Sequence, residues 1–428
     1  MPSIPRPPMS PSRTSRRSFC ARAAACSAAT ALQSSATLRA AGFAAQPAPS
    51  ASASRPDVAA IDHDRILAAA QHYLTQPPTP LTSLVCPRSS GAADSYYSEP
   101  EPSPDAPLRP GSPPPFTAHR DALFSLGLAV PALAAACVLS GEARYADHAA
   151  THLRAWFVNP ATRMKPAMDF AQSTPASRPP HTSTGRYQGI LEALPLVEIA
   201  QSIPFLTTLN DADRAALHAW FAAYYHWLTD PQDSGPRLAA LARDSKSHHG
   251  TSWMLQACAF AYLAAPTGDA ARAENPALTD LRHRFKTLTL RAQISPDGTF
   301  PHELGSQWPY RDSLFNLDML AAICELLSTR FESLWDYQLD EGPGMRGAIA
   351  YHFPFIADRG MWPFRADADH FEELPSRRAS LLLSARAYRR PEYAALWKTL
   401  QPDPPTPAIL RTLPIHQPLL WVRQPPSA

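Results

Sequence analysis

A chain of 428 residues with 45% hydrophobic content has the apolar mass for a large core, and its formal charge of +2 gives no electrostatic ground for a nucleic-acid partner. Forty-eight prolines against sixteen glycines imply long stiff loops between ordered elements, the kind of segment that carries sites. Six cysteines without a close pair argue against a zinc ribbon or a dithiol redox centre.

In chain order, Ser15-Arg16-Arg17-Ser18-Phe19 is a twin-arginine pattern followed by an alanine-rich run, so residues 1–45 read as an export signal. That predicts a periplasmic or secreted protein, with residues 46–428 as a single monomeric domain. Cys20 and Cys26 fall in the signal, leaving Cys86, Cys137, Cys258 and Cys324, of which the last three lie in apolar helical runs as small buried hydrophobes. Export would permit a pair to oxidise. No later run reaches the roughly eighteen apolar residues of a membrane span, so no membrane insertion is expected.

The remainder reads as helix after helix. A first helix covers 57–73. Helices 118–139 and 144–157 form an antiparallel pair across Ser140-Gly141-Glu142, followed by the pairs 190–203 with 212–228, 251–264 with 278–294, and 313–327 with 345–356, and then by 376–390 and 393–400. The fold class is all-α, an incomplete (α/α) toroid or barrel built of antiparallel helical hairpins, whose concave face suits an extended polymer. Trp156, Phe221, Tyr225 and Phe315 have the helical spacing of core residues.

Four stretches concentrate polar groups without that periodicity: 88–99; Thr184-Gly185-Arg186-Tyr187-Gln188-Gly189; Ser247-His248-His249-Gly250-Thr251-Ser252-Trp253; and 296–312. The third puts two imidazoles at the N-terminal turn of an apolar helix, where backbone N–H groups favour an anion and the side chain titrates nearest neutrality. Plainer readings stand beside these. Pro296-Asp297-Gly298 is a turn, Asp312 is placed to cap a helix, Arg186 suits a surface ion pair, and Glu303 suits a structural partnership with an arginine. His248, His249 and His302 offer metal-binding side chains, but adjacent histidines rarely point the same way, so neither a metal nor a cofactor is expected. Gly185-Arg186-Tyr187-Gln188-Gly189 lacks the preceding strand of a nucleotide site, and no phosphate loop is present.

The run 185–203, His249-Gly250-Thr251, and Pro296-Asp297-Gly298-Thr299-Phe300-Pro301 through Ser313-Leu314-Phe315-Asn316-Leu317-Asp318 resemble the alginate lyase family. The stretch 88–99, Ala118-His119-Arg120, Leu153-Arg154-Ala155-Trp156-Phe157 and Gln417-Pro418-Leu419-Leu420-Trp421-Val422 extend the resemblance over nearly all of the chain after the signal. It implies a helical toroid that cleaves an acidic, uronate-containing polysaccharide or oligosaccharide by β-elimination. Such a site neutralises the sugar carboxylate, removes the C5 proton and protonates the departing O4. The family pattern is Asn-Asn-His-Gly-Thr, then an Arg-Thr pair and a Tyr just before Ser-Leu-Phe-Asn. Here Ser247 and His248 replace the asparagines, Ser306 and Gln307 replace Arg-Thr, and Asp312 replaces the tyrosine.

The resemblance makes His249 the carboxylate neutraliser or proton abstractor with His248 assisting. Tyr310 or Tyr187 would serve as acid, and Arg311 would supply a guanidinium from the same loop. Arg186, Tyr187, Tyr97, His302 and Trp253 are the substrate-binding candidates. Two further readings are a catalytically inactive relative that binds the polymer, which the changed positions favour, and a hydrolase using Glu303 and Asp312 as paired carboxylates.

Overall fold

The computed structural model describes residues 55–102, 107, 110–174, 185–230, 238–266, 268–404 and 406–423. The expected export signal with Cys20 and Cys26, residue Thr184 and the prolines of 175–180 lie outside them. Among the described residues there is no strand, only the isolated bridges Tyr97 with Phe170 and Gln338 with Gly344.

Residues 49–428 form one compact unit. Its principal helices are α1 (His63–Tyr73), α2 (Ala118–Ser140), α3 (Ala143–Leu153), α4 (Pro195–Ser202), α5 (Asp211–Thr229), α6 (His248–Ala264), α7 (Pro276–Arg284), α8 (Pro309–Leu327), α9 (Met345–Ala357), α10 (Ala379–Tyr388) and α11 (Pro391–Thr399). Helices α2, α4, α6, α8 and α10 pack each on the next as an inner layer. Around them, α1 and α3 lie on α2, α5 on α6 and α11 on α10. This is the all-α helical toroid.

Burial explains the division into layers. An inner helix has neighbours on every side, so its sequence is apolar all round rather than along one stripe. In α8 every residue but Arg311 and Glu325 is buried. Helix α2 is 23 residues long and apolar enough to cross a membrane by length and composition, which corrects the expectation that no run reaches that length. Helices α1, α3 and α4 pack on it, α4 so closely that a Cβ on Gly127 would run into Pro195, and 67% of its most apolar window lies inside the fold.

Several helix boundaries differ from expectation, each for a local reason. The helix expected over 57–73 divides at Asp62, whose carboxylate binds Arg65 and Arg377. The one expected over 190–203 opens with a 3-10 turn, Tyr187–Ala193, because Pro195 is better suited to begin α4 than to continue a helix. A π-turn, Phe285–Thr289, interrupts the one expected over 278–294. Helix α8 starts at Pro309, four residues early, so Asp312 lies inside its first turn and is not the predicted cap. Gly141, at φ 72°, ends α2 at the predicted turn, and Asn210 caps α5 through Asp213 N–H. Cys86, Cys137, Cys258 and Cys324 are buried free thiols.

The C-terminal segment returns to the start of the domain. The turn Leu419–Val422 packs on α2 and α4, and Arg411 pairs with Asp121 at 2.6 Å. Glu198 of α4 receives this segment. Its buried carboxylate accepts the backbone N–H groups of His416 at 2.7 Å and Gln417 at 3.0 Å, and the Trp421 indole N–H at 3.3 Å.

Burial pushes the Glu198 carboxyl up to about 7, against the pull of those three donors. Below the ordinary 4.5 the group is protonated folded or unfolded, so its contribution is complete there and is lost as pH rises through about 7. The loss amounts to about 3 kcal/mol. Equilibrium unfolding between those two values should show the native chain declining by that amount relative to Glu198→Gln; parallel curves would refute this account of the carboxyl.

Candidate active site

The candidate site is built where α6 and α8 begin. The first turn of α6 is tight: a Cβ on Gly250 would run into the Ser245 carbonyl oxygen, so only glycine lets the chain enter the helix here. This close approach fixes where His248 and His249 emerge.

His248 is held twice by Glu303. Its backbone N–H donates to Oε1 at 2.6 Å, and its ring Nδ1 lies 2.7 Å from Oε2. Glu303 belongs to the short helix Pro301–Leu304 and is 1% exposed. That helix follows the predicted turn, in which Asp297 Oδ1 accepts the Thr299 N–H at 3.0 Å and hydroxyl at 2.8 Å. The expected arginine partner for Glu303 is thus replaced by an imidazole and a helix-terminal amide. Burial opposes charge on His248, but the Glu303 carboxylate outweighs it and holds the imidazole above its ordinary value.

The two histidine rings stack, with centroids 4.3 Å apart at 29°, contrary to the expectation that neighbouring imidazoles diverge. His249 Nδ1 pairs with Ser247 Oγ at 2.9 Å, and the Tyr187 ring meets it edge-on at 5.2 Å. Burial, followed by the neighbouring His248, pushes His249 down to about 2, so its ring stays neutral.

Across from His248, Arg311 engages a single oxygen of Asp312: Nε and Nη2 donate to Oδ1 at 3.0 and 2.9 Å. The guanidinium also lies over the Trp308 ring, 4.2 Å from its centroid. His248, Glu303 and Asp312 each offer a donor atom within 4.8 Å of the others. His248, Arg311 and Asp312 line a cavity of about 300 Å³, whose other walls include Arg120, Gln172, Glu192, Glu198 and Arg411.

The remaining expected residues are distributed as follows. Tyr310 is buried: its hydroxyl donates to the Phe355 carbonyl at 2.8 Å, and its ring packs against Trp362 and Phe371. This correction removes it as a proton donor to a ligand. Tyr97 is buried too, its hydroxyl donating to Glu99 Oε1 at 2.7 Å, and Glu99 is held in turn by Arg88. Trp253 lies in the core with its indole N–H on the Leu228 carbonyl at 3.0 Å, so neither it nor Tyr97 presents a face to a sugar. Arg186 and His302 are exposed. Glu303 has both oxygens on His248 and Asp312 has one on Arg311, so neither carboxyl stands free as the hydrolase reading needs.

A second polar group on the cavity wall escaped the sequence reading. Glu192 Oε2 accepts from Ser98 Oγ at 2.5 Å and from the Tyr96 hydroxyl at 2.9 Å, and Oε1 accepts from Gln172 Nε2 at 3.3 Å. Its one signal was an acid inside an otherwise apolar run, Gly189-Ile190-Leu191-Glu192-Ala193-Leu194. Burial raises its carboxyl above the ordinary range.

A toroid of helical hairpins that brings titratable groups to a cavity at its inner-helix ends has the concave, part-polar pocket of a ligand-binding or catalytic protein. The alginate lyase family model matches residues 59–362, and the chain belongs to that family. It is therefore a polysaccharide lyase, an enzyme that breaks a carbon–oxygen bond. An alginate lyase from Bacteroides ovatus has the same fold, with a TM-score of 0.65 and 22% identity over 84% of this chain and 94% of that one. Alginate lyase A1-III from Sphingomonas species A1 superposes with a TM-score of 0.49 and 13% identity over 88% of this chain and 97% of that one. No curated protein matches the sequence.

Two substitutions test the geometry. Glu303→Ala should cost about 3 kcal/mol in equilibrium unfolding, because it strips His248 of its buried partner, and Glu303→Gln should cost less, since its carbonyl still accepts one bond. Gly250→Ala should destabilise by roughly 1–3 kcal/mol through the Ser245 carbonyl clash, and a neutral outcome would show that the turn has room to relax.

Proposed function

We propose that the protein cleaves a uronate-containing polysaccharide of the alginate or glucuronan type by β-elimination, with His249 and Tyr187 moving the protons. The C5–H bond and the C4–O4 bond break, a C4=C5 double bond forms, and O4 leaves with a proton. The stacked imidazole pair carries this reading: one ring faces the cavity on a carboxylate support, and the other meets a tyrosine.

His249 is neutral, so its lone pair is available, but at about 2 it is a weak base. A uronate carboxylate brought alongside favours the imidazolium and raises that value, so proton abstraction is coupled to substrate binding. Tyr187 is the phenol within reach to protonate O4. His248 and Arg311 form the wall that meets the carboxylate, while Arg186 and His302, both exposed, are placed to contact more distant sugars. The protein acts as a monomer of one domain after residue 45, in the periplasm or outside the cell; the twin-arginine pattern Ser15-Arg16-Arg17-Ser18-Phe19 supports that location.

The inactive-relative reading has its own support. Asp312 stands where the family pattern has tyrosine, and the hydroxyl of nearby Tyr310 is committed to Phe355. Incubation with alginate and with glucuronan, followed by the ultraviolet absorbance of unsaturated uronate, separates the two. Product should form, His249→Ala should abolish it, and Tyr187→Phe should lower kcat by roughly 100-fold or more. Binding of either polymer without product would select the inactive relative, and undiminished rates in both variants would displace the assigned proton carriers.

A further inference from the structure

We propose that His248, Glu303 and Asp312 form a binding site for a first-row divalent cation of the Mn2+ or Zn2+ type, which meets the uronate carboxylate. This rests on the lyase reading for the cation's task, though not for its binding.

The three donors come from three separate elements: the first residue of α6, the helix Pro301–Leu304 and the first turn of α8. Their donor atoms lie within 4.8 Å of one another, with His248 and Asp312 on the cavity wall and Glu303 and Asp312 buried. Three protein donors and an open side are what a catalytic metal site presents. An imidazole with two carboxylates suits Mn2+ or Zn2+, whereas Ca2+ and Mg2+ favour oxygen donors throughout. His248 Nδ1 and Glu303 Oε2 are 2.7 Å apart. Two ligands held at about 2.1 Å on perpendicular axes lie roughly 3 Å apart, so a small opening of this pair admits the ion. Arg311 takes Asp312 by Oδ1 alone, which orients the carboxylate without using Oδ2.

Two independent observations point the same way. His248 and Asp312 stand at positions where the family pattern has asparagine and tyrosine, and these two replacements converge with Glu303 in space. Neutral groups have thus been exchanged for metal-ligating ones at both places. The charges agree. Glu303 and Asp312 bring two negative groups and Arg311 one positive. Even with His248 protonated these four groups sum to zero, so they carry no net charge toward an arriving carboxylate. A divalent ion held there would give this part of the wall a net positive charge, beside that of Arg120 and Arg411.

The experiment uses the untagged protein, stripped with a chelator and titrated with Co2+, whose visible bands report coordination by nitrogen and oxygen, and with Mn2+ and Zn2+ by calorimetry. One ion should bind per chain. Asp312→Asn and His248→Asn should each remove the bands, and the second carries a residue that the family pattern has at that place, which keeps the test meaningful if the first variant fails to fold. The other imidazole pair in the described residues, His148 and His152 with Nε2 atoms 3.3 Å apart, is the control, and His148→Ala should leave binding intact. No binding, binding retained in both ligand variants, or binding lost in His148→Ala overturns the proposal. Lyase product that survives chelation also overturns it while leaving the lyase reading in place. A bound ion with no product on either polymer supports the site and overturns the lyase reading instead.

Discussion

The grip of Glu303 on His248 organises this site. One buried carboxylate takes both a helix-terminal amide and an imidazole, so a side chain 55 residues away in sequence fixes where α6 begins and which way its first ring faces. The same bond anchors the short helix Pro301–Leu304, whose far side leads into α8. Loss of that contact would leave an uncompensated charge in the interior and a helix start without its acceptor. The positions of His249, Asp312 and Arg311 follow from it, because each belongs to one of the two helix starts, and Tyr187 meets them through the His249 ring.

The architecture makes such an arrangement necessary. The inner helices are apolar on nearly every face, since each is enclosed by neighbours, and the polar groups of their mid-sections, such as Gln256, Asn316 and Asp318, are engaged within the packing. Chemistry is confined to their ends and to the loops that connect them. That is where the histidine pair, the Asp312–Arg311 pair and Glu192 are found. Burial also shapes their protonation: it raises Glu192 and Glu198 and lowers His249, while a specific carboxylate reverses the trend for His248.

Much of this was legible in the sequence. Helical periodicity located the hairpins, and His248-His249-Gly250 in front of an apolar run marked the start of α6. What could not be read were contacts between distant segments. Nothing near Glu303 announces a histidine partner, so an arginine was the reasonable expectation. Tyr310 lies beside Arg311 in sequence, yet a helix turns adjacent residues about 100° apart, and one enters the core while the other faces the cavity. Asp312 resembles a cap until Pro309 and Tyr310 are seen to be helical already. The polar sequence around Tyr97 suggested a sugar-binding loop, but its phenol satisfies Glu99 in the interior.

The cavity wall includes Arg411, Thr412, Leu413, Pro414 and His416, and Glu198 fastens the residues just beyond them. The pocket is thus closed by a segment far along the chain from the histidine pair, held down by one buried carboxylate. Weakening that anchor would open the enclosure while leaving in place the helices that carry the pair.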